Sequence, residues 1–249
     1  MESFEYSFEP LGDKLRICVT KEHKFGTDAF LLSHFANPKN GSTVCDLGSG
    51  CGIIPLLWFR RPKPPKAAFA VELIPKGAAQ MKITVEENKL QDCFFPLNMD
   101  LKELRNHFEN GRFDLVTCNP PYKAVGTGIP CPGDVRLTAR HEVSCTLGDV
   151  CTTAAWLLRF GGSLCLCQRP ERLPDVTEAM RNAGIEPKRL RFVQQHSHTP
   201  PWLFLIEGKK GSKPFLQVEA PLIVEAPEGG FSKEMLDIYG IYPEGRNAK

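Results

Sequence analysis

The sequence lacks the patterns that mark secreted, membrane-spanning and zinc-ribbon proteins. No apolar run is long enough to cross a bilayer, and the first ten residues, MESFEYSFEP, carry acidic side chains where a signal peptide has an apolar core. The ten cysteines include no CxxC pair, and several stand in apolar strand-like runs such as SLCLC. We therefore expect a cytoplasmic protein with reduced thiols, no metal and no membrane partner.

An excess of charge of one sign is also lacking. The chain has 31 Lys and Arg against 29 Asp and Glu, so its net charge is +2, and any strongly basic surface must be local. With 249 residues, 42% apolar and 24% charged, the composition is that of a globular protein that can bury a full core.

Apolar runs and helical patterns alternate regularly along the middle of the chain. The helix at 173–184 is followed by two strands with no helix between them. This order predicts an α/β fold, with helices on both faces of a mostly parallel seven-stranded sheet and an antiparallel edge strand. The seven predicted strands are residues 42–47, 67–73, 93–100, 112–118, 161–168, 189–196 and 202–210.

Two segments flank this predicted sheet. Residues 1–24 contain two short strands, SFEYSF and LRICVT, around the turn PLGDK, which predicts an N-terminal β-hairpin. The next helix has Thr27 or Asp28 as its expected N-cap. Residues 211–249 are rich in Gly, Pro and charge and are predicted to be a C-terminal extension, which leaves residues 25–210 as the central domain.

A glycine-rich turn follows the first strand of the sheet. In VCDLGSGCG, the residues Gly48, Gly50 and Gly52 allow a ligand to approach the backbone closely, and the following helix offers free N–H groups. A dinucleotide-binding GxGxxG pattern needs a small residue at position 53, which is Ile53. The pattern with Asp46 ahead of the glycines favours S-adenosylmethionine, a cofactor without a pyrophosphate.

Acidic residues also end the next two strands. Glu72, followed by Leu73, stands where a carboxylate can bind both ribose hydroxyls of a nucleoside. Asp100 stands where it can accept a hydrogen bond from an adenine amino group, or it can instead cap the helix that follows. Both interpretations of Asp100 stay open, and Asp46 has a structural alternative as well.

The loop after the fourth strand, NPPY, carries the candidate catalytic residues Asn119, Pro120 and Tyr122. Its two prolines fix the backbone and remove two N–H donors. Asn119 Oδ1 and the Pro120 carbonyl can accept hydrogen bonds from a planar amino group, which frees its lone pair for attack on a sulfonium methyl. Tyr122 can stack on the planar group. The alternative is a proline-rich strand exit in which Tyr122 fills a gap.

This constellation resembles the Rossmann-like class I methyltransferases that modify planar amino groups in DNA, RNA or release factors. Three segments narrow the resemblance to the bacterial tRNA1(Val) adenosine N6-methyltransferase family, and together they cover nearly the whole chain. They are HKFGTDAFLLSHFA, TARHEVSCTLGDVCTTAAWLLRFGGSLCLCQRPERLPDV and PLIVEAPEGGFSKEMLDIYG.

The resemblance implies S-adenosylmethionine-dependent methylation of the adenosine immediately 3′ of a tRNA anticodon. A base in that loop is single-stranded and can enter a pocket without melting a duplex. The family's acceptor motif matches Asn119 to Tyr122, and its donor motif matches Gly48, Gly50 and Glu72. Its FGTD segment, which closes over the methionine part of the donor, matches Lys24, Gly26, Thr27 and Asp28.

Basic residues near the predicted strand ends are candidates for contacts with RNA phosphates, although each is equally compatible with an ordinary solvated surface. His196 and His198 resemble a metal-binding HxH pair, but without an evident third ligand they are interpreted as a surface loop. The five RNA-binding candidates are Lys123, Arg136, Arg140, Arg169 and Arg172.

Three other functions remain possible at this level. A protein glutamine methyltransferase would be expected to have an N-terminal helical docking domain, and a DNA adenine methyltransferase a larger target-recognition insertion. A non-catalytic module that binds the donor or RNA would not need the amide of Asn119. The family resemblance favours the tRNA hypothesis over each of these.

Overall fold

The computed structural model describes residues 4–12, 14–21, 25–120 and 145–240. The strands are β1 (Ser7–Leu11), β2 (Leu15–Val19), β3 (Thr43–Leu47), β4 (Ala67–Glu72), β5 (Phe94–Asn98), β6 (Phe113–Cys118), β7 (Leu158–Gln168), β8 (Ile185–Gln194), β9 (Pro201–Lys210), β10 (Gln217–Val218) and β11 (Leu222–Ile223). The helices are α1 (Thr27–Ala36), α2 (Ile53–Trp58), α3 (Pro75–Glu87), α4 (Leu104–His107), α5 (Leu147–Leu157), α6 (Leu173–Asn182) and α7 (Lys233–Tyr239).

The large sheet has the strand order β10-β8-β9-β7-β6-β3-β4-β5, and β11 also pairs with β8. Every pairing is parallel except those of β9. The predicted α/β fold with a mostly parallel sheet is therefore confirmed.

The antiparallel strand is not at the edge where the sequence predicted it. It is β9, which lies between β7 and β8. Four successive side chains of β9 are buried, so both faces of the strand are covered, as expected for a strand inside a sheet. The outer edge of β8 is instead covered by β10 and β11, two short strands from the C-terminal segment. The four buried side chains are Leu203, Phe204, Leu205 and Ile206.

Helices cover both faces of the sheet. One face packs against α1, α2, α3 and α7, with Leu31, Trp58 and Met81 among the fully buried side chains. The other face packs against α4, α5 and α6, with Leu104 and Leu157 fully buried. Burial on both faces keeps the strands rigid, so their carboxyl ends can hold side chains in fixed positions.

The N-terminal β-hairpin is confirmed, although its first strand starts at Ser7 and not at Ser3. β1 and β2 pair antiparallel from Ser7–Val19 to Leu11–Leu15. The hairpin lies on α3, where the Cys18 N–H donates to Thr84 Oγ1 at 3.0 Å. The hairpin is therefore attached to the helix that follows β4.

The predicted N-cap of α1 is wrong. The cap position is Gly26, whose backbone is extended and which makes no side-chain capping bond. The two expected capping side chains make tertiary contacts instead: Thr27 Oγ1 lies 2.7 Å from the Tyr239 hydroxyl, and Asp28 accepts from Asn119. Thr27 and Asp28 therefore bind distant residues, and Asp28 also accepts from the neighbouring Ala29 N–H.

The start of β7 also differs from the prediction. The sequence predicts this strand from residue 161, but α5 ends at Leu157 and β7 begins at Leu158. Leu158 pairs with Phe113 of β6, and Arg159 Nε donates to Asp114 Oδ1 at 2.6 Å. These contacts with β6 extend the strand into a sequence whose apolar spacing is helical.

Candidate active site

The site candidates meet at one edge of the sheet. Strands β3 to β7 are mutually parallel, so their carboxyl ends lie side by side, where ligands bind in sheets of this kind. Asp46, Glu72, Asp100, Asn119 and Arg169 stand at or just after these ends. The structure therefore brings together one candidate from each of the five strands.

The glycine turn between β3 and α2 has a backbone conformation that requires glycine. Gly48, Gly50 and Gly52 have φ values of +67°, +59° and +84°, in the left-handed region that other residues rarely adopt. The Ser49 N–H donates to the Val71 carbonyl at 3.0 Å, which ties the turn to β4. The turn is thus held as a rigid backbone surface.

Glu72 connects the glycine turn with the turn that follows β4. Its side chain is buried, Oε2 accepts from the Gly50 N–H and Oε1 from the Ile74 N–H, both at 2.8 Å. Each carboxylate oxygen has two lone pairs, so these bonds are compatible with a ribose hydroxyl donating to the same group. The ribose contact itself stays a prediction.

Asn98 is a supporting residue that the sequence reasoning missed. Its Nδ2 donates to the Glu72 carbonyl at 2.8 Å and to the Leu73 carbonyl at 3.0 Å. These bonds fix the backbone beside Glu72, while the Leu73 side chain is 42% exposed. The sequence signal for this role is weak: Asn98 lies near the end of a predicted strand, as Glu72 and Asp100 do.

Gly77, in the first turn of α3, was also missed. A Cβ on this residue would lie 2.9 Å from the Gly50 carbonyl oxygen and 2.9 Å from Glu72 Cγ. Both distances are shorter than a carbon atom tolerates, so α3 can approach the glycine turn only because position 77 is glycine. A glycine in a first helical turn is a weak sequence signal, because it is common for other reasons.

Asp46 lies beneath the glycine turn and is completely buried. Its oxygens accept from Ser49 Oγ at 2.6 Å and Thr117 Oγ1 at 2.5 Å. Burial raises the pKa of Asp46 to about 7, and the nearby charge of Glu72 adds to the rise, while the two hydroxyl bonds oppose it. Asp46 thus joins the turn to β6, and direct contact with the donor stays a prediction.

Asp100 caps the 3-10 turn Leu101–Glu103. Its Oδ1 accepts from the Lys102 N–H at 2.9 Å, and its Oδ2 lies 3.6 Å from Lys102 Nζ. The structural interpretation left open by the sequence is therefore confirmed. A contact with adenine stays a prediction, and the carboxylate remains partly exposed at the same sheet edge.

Asn119, the first residue of the acceptor loop, is held on both sides. Its Nδ2 donates to Asp28 Oδ2 at 2.9 Å, and Cys167 Sγ donates to its Oδ1 at 3.0 Å. Asp28 comes from the first turn of α1 and Cys167 from the end of β7. The family resemblance places Asp28 near the donor, and the apolar run SLCLC predicts a core position for Cys167, so the sequence links neither residue to Asn119.

Several predicted site residues lie outside the residues that the structure describes. Of the RNA candidates that are described, Arg169 donates to the Trp202 carbonyl at 3.2 Å, and Arg172 forms a 2.6 Å ion pair with Asp175. Both stand at the end of β7, at the same edge as Asn119. The predicted residues outside the described ranges are Lys24, Tyr122, Lys123, Arg136 and Arg140.

The two histidines of the β8–β9 loop stack on each other, with ring centroids 5.6 Å apart. His196 Nε2 lies 3.7 Å from a carboxylate oxygen of Glu225. Within the described ranges, no three His, Cys, Asp or Glu residues are grouped as a metal site. The helices found there are all too short or too polar to cross a membrane.

Comparison with known families finds a match that includes the residues of this sheet edge. Residues 20–129 match the family model of the methyltransferase small domain, a segment that includes the glycine turn, Glu72 and Asn119. This segment of the chain is therefore similar to a methyltransferase small domain. The matched segment ends at residue 129, beyond the NPPY loop, so it contains both the glycine turn and the complete acceptor motif.

Curated relatives of this chain confirm the resemblance seen in the sequence. A tRNA1(Val) (adenine(37)-N6)-methyltransferase of Histophilus somni is 32% identical over 141 residues, which span 57% of this chain and 58% of that protein. A protein of the same name from Parabacteroides distasonis is 26% identical over 184 residues, spanning 74% of this chain and 76% of the relative.

Among solved structures, the fold is shared with a predicted O-methyltransferase, Atu636 of Agrobacterium tumefaciens. The TM-score is 0.69 at 20% identity, and the match covers 86% of this chain and 95% of that one. The predicted Rossmann-like class I methyltransferase fold is confirmed.

Proposed function

We propose that this protein transfers the methyl group of S-adenosylmethionine to the exocyclic N6 nitrogen of an adenosine in tRNA. One observation carries the proposal: the Asn119 amide stands on the same sheet edge as the glycine turn, and the Asp46–Thr117 bond joins the two. Thr117 precedes Asn119 by only two residues. The residues proposed to bind the methyl donor and those proposed to bind the methyl acceptor are therefore held in fixed positions relative to each other.

The glycine turn and Glu72 suit the nucleoside part of S-adenosylmethionine. The glycines Gly48 and Gly50 have positive φ values and leave the backbone of the turn without side chains, so a ligand can approach it closely. The Glu72 carboxylate accepts from the Gly50 N–H of this turn. The donor supplies an electrophilic sulfonium methyl. The protein's part is to fix that group in line with the incoming nitrogen.

Asn119 and Pro120 suit the acceptor. The lone pair of an adenine amino group is delocalised into the ring, so the nitrogen is a poor nucleophile until its geometry becomes tetrahedral. Hydrogen bonds from its two N–H groups to Asn119 Oδ1 and the Pro120 carbonyl strengthen as that geometry forms, which lowers the barrier. Stacking by Tyr122 on the base belongs to the same proposal.

The RNA substrate is proposed from the relatives and from chemistry. The two curated relatives are named for adenine 37 of a tRNA, and an anticodon-loop base is accessible without melting a duplex. Arg169 and Arg172 lie at the end of β7, where their charge favours a phosphate backbone. We infer that this reaction takes place in the cytoplasm.

The test is methyl transfer from isotope-labelled S-adenosylmethionine into total bacterial tRNA, total protein and DNA in parallel reactions, followed by mass analysis of the products. The proposal expects label in tRNA as N6-methyladenosine. Label in protein glutamine or in DNA would show that the protein methylates amino groups of another substrate class, and the tRNA proposal would be wrong. Donor binding without label in any acceptor would favour a non-catalytic module.

A further inference from the structure

We propose that Asp28 is a positioning residue that selects the reactive orientation of the Asn119 amide. The inference rests on the proposed function, because it concerns how the acceptor loop is set up for an amino group. It assigns Asp28 a partner in the protein, whereas the family resemblance places the FGTD segment against the donor. Asp28 and Asn119 are 91 residues apart in sequence, and their side chains meet at 2.9 Å.

The carboxylate of Asp28 is itself held in place. Its Oδ1 accepts from the Ala29 N–H at 2.9 Å, which leaves Oδ2 directed at Asn119 Nδ2. Gly26 provides the space, since a Cβ at that position would lie 2.6 Å from Asp28 Oδ1. The orientation of the carboxylate is thus fixed by the first turn of α1.

Orientation matters because the two ends of an amide have opposite hydrogen-bonding roles. A carboxylate only accepts, so it binds the Nδ2 end of Asn119 and repels the Oδ1 end. The amide oxygen is then directed away from Asp28, where it can accept from a substrate amino group. A flipped amide would present N–H donors to an amine that needs an acceptor, and the reaction would not be promoted.

Cys167 supports the same orientation from the other side. Its thiol is completely buried at the end of β7 and donates to Asn119 Oδ1 at 3.0 Å. A thiol is a weak donor, so its contribution is smaller than that of the carboxylate. A carbonyl oxygen has two lone pairs, so the thiol bond is compatible with a substrate N–H donating to the same oxygen.

The test compares Asp28→Ala and Asp28→Asn with the wild type in single-turnover methyl transfer to tRNA and in donor binding. The loss of one hydrogen bond to a charged group is expected to lower the Asp28→Ala rate about 10- to 100-fold, with the donor Kd within about twofold of wild type. Asp28→Asn should recover part of the rate, because its amide oxygen can still accept from Asn119. Asp92→Asn, in the exposed turn before β5, is the matched control and should behave as wild type.

A double-mutant cycle separates positioning from direct contact with the donor. If Asp28 acts through Asn119, adding Asp28→Ala to Asn119→Ala should cause no further loss of rate. Fully additive losses would overturn the proposal. So would an Asp28→Ala variant whose donor Kd rises while its rate at saturating donor is unchanged, because Asp28 would then contact the donor.

A measurement that needs no turnover separates this inference from the proposed function. The side-chain NH₂ signals of Asn119, assigned by their disappearance in Asn119→Ala, should shift in the 1H–15N spectrum of Asp28→Ala and of Asp28→Asn but not of Asp92→Asn. Unshifted signals in both Asp28 variants would overturn the positioning role. If tRNA is not methylated but the signals shift, the proposed function fails and the Asp28–Asn119 contact stands.

Discussion

The glycine turn and the Asn119 loop lie on the same sheet edge, but they are supported in different ways. The side-chain bonds made by the turn itself go to residues nearby in sequence: Ser49 donates to Asp46, three residues earlier, and Gly50 donates to Glu72, 22 residues later and one helix–strand unit along the chain. Asn119 is held by side chains 91 and 48 residues away, on α1 and β7. A motif with local support can be recognised from its own sequence, whereas the support of Asn119 becomes visible only in the fold.

The largest expected effect is on the acceptor side. Replacing Asn119 with Ala removes the proposed acceptor for the substrate amino group, so the single-turnover rate should fall about 100- to 1,000-fold. The donor Kd, measured by calorimetry, should stay unchanged because the glycine turn is intact. Asn182→Ala, at the exposed end of α6, is the control. Full activity of Asn119→Ala would remove the acceptor-loop mechanism.

The next effect is on the pH dependence of stability and concerns Asp46, which accepts a hydrogen bond from Ser49 of the glycine turn. Because burial raises the pKa of Asp46 to about 7, the folded protein holds this proton more tightly than the unfolded chain does. The resulting stabilisation is fully present below about pH 4 and is lost as pH rises through about 7. The free energy of unfolding of the wild type, relative to Asp46→Asn, should therefore fall by a few kcal/mol, on the order of 2–4, across this range.

Denaturant unfolding at a series of pH values measures this difference, with Asp92→Asn as a variant in which an exposed carboxylate is lost. A difference between wild type and Asp46→Asn that does not change with pH would show that Asp46 is ionised throughout the range. The role of Asp46 as a buried, proton-binding support would then be wrong.

Glu72 should affect donor binding and spare the chemical step. Glu72→Gln weakens the bond to the glycine turn and the proposed bond to a ribose, so the donor Kd should rise about 10- to 100-fold. The rate at saturating donor should change by less than about threefold, since the Asn119 loop is untouched. Glu86→Gln, on the exposed side of α3, serves as the control. A fall in rate with unchanged Kd would contradict the division of the site into two halves.

The smallest effect compares two glycines in first helical turns. Gly77→Ala forces a Cβ to within 2.9 Å of the Gly50 carbonyl, so α3 must shift, and the donor Kd should rise by about tenfold. Gly148→Ala in α5 meets its nearest atom at an ordinary 3.5 Å and should be neutral or stabilising, by up to about 1 kcal/mol. Thermal unfolding and donor titration of both variants make the comparison. Equal behaviour would mean that the close approach at Gly77 has no functional role.

Much of the fold could be predicted from local patterns. Apolar strands alternate with amphipathic helices, and such a pattern specifies an α/β sheet whose strand ends form the site. The glycine turn, Glu72 and Asn119 were found in this way because each belongs to a short segment with its own chemistry.

The errors arose where distant contacts decided the structure. The position of β9 depends on pairing with β7 and β8, and the sequence order alone does not specify which strand lies between the others. Thr27 and Asp28 have the chemistry of N-caps, but Tyr239 and Asn119 compete for their side chains. The sequence around Cys167 predicts an ordinary buried thiol, because its contact with Asn119 depends on the pairing of β7 with β6.

The most direct measurement is the position of the methyl group in the RNA. tRNA methylated by the wild-type protein would be digested to oligonucleotides, and the anticodon-loop fragments analysed by mass spectrometry. The proposed reaction predicts N6-methyladenosine at the adenosine immediately 3′ of the anticodon. A methyl group on another nucleoside, or in a fragment outside the anticodon loop, would contradict it.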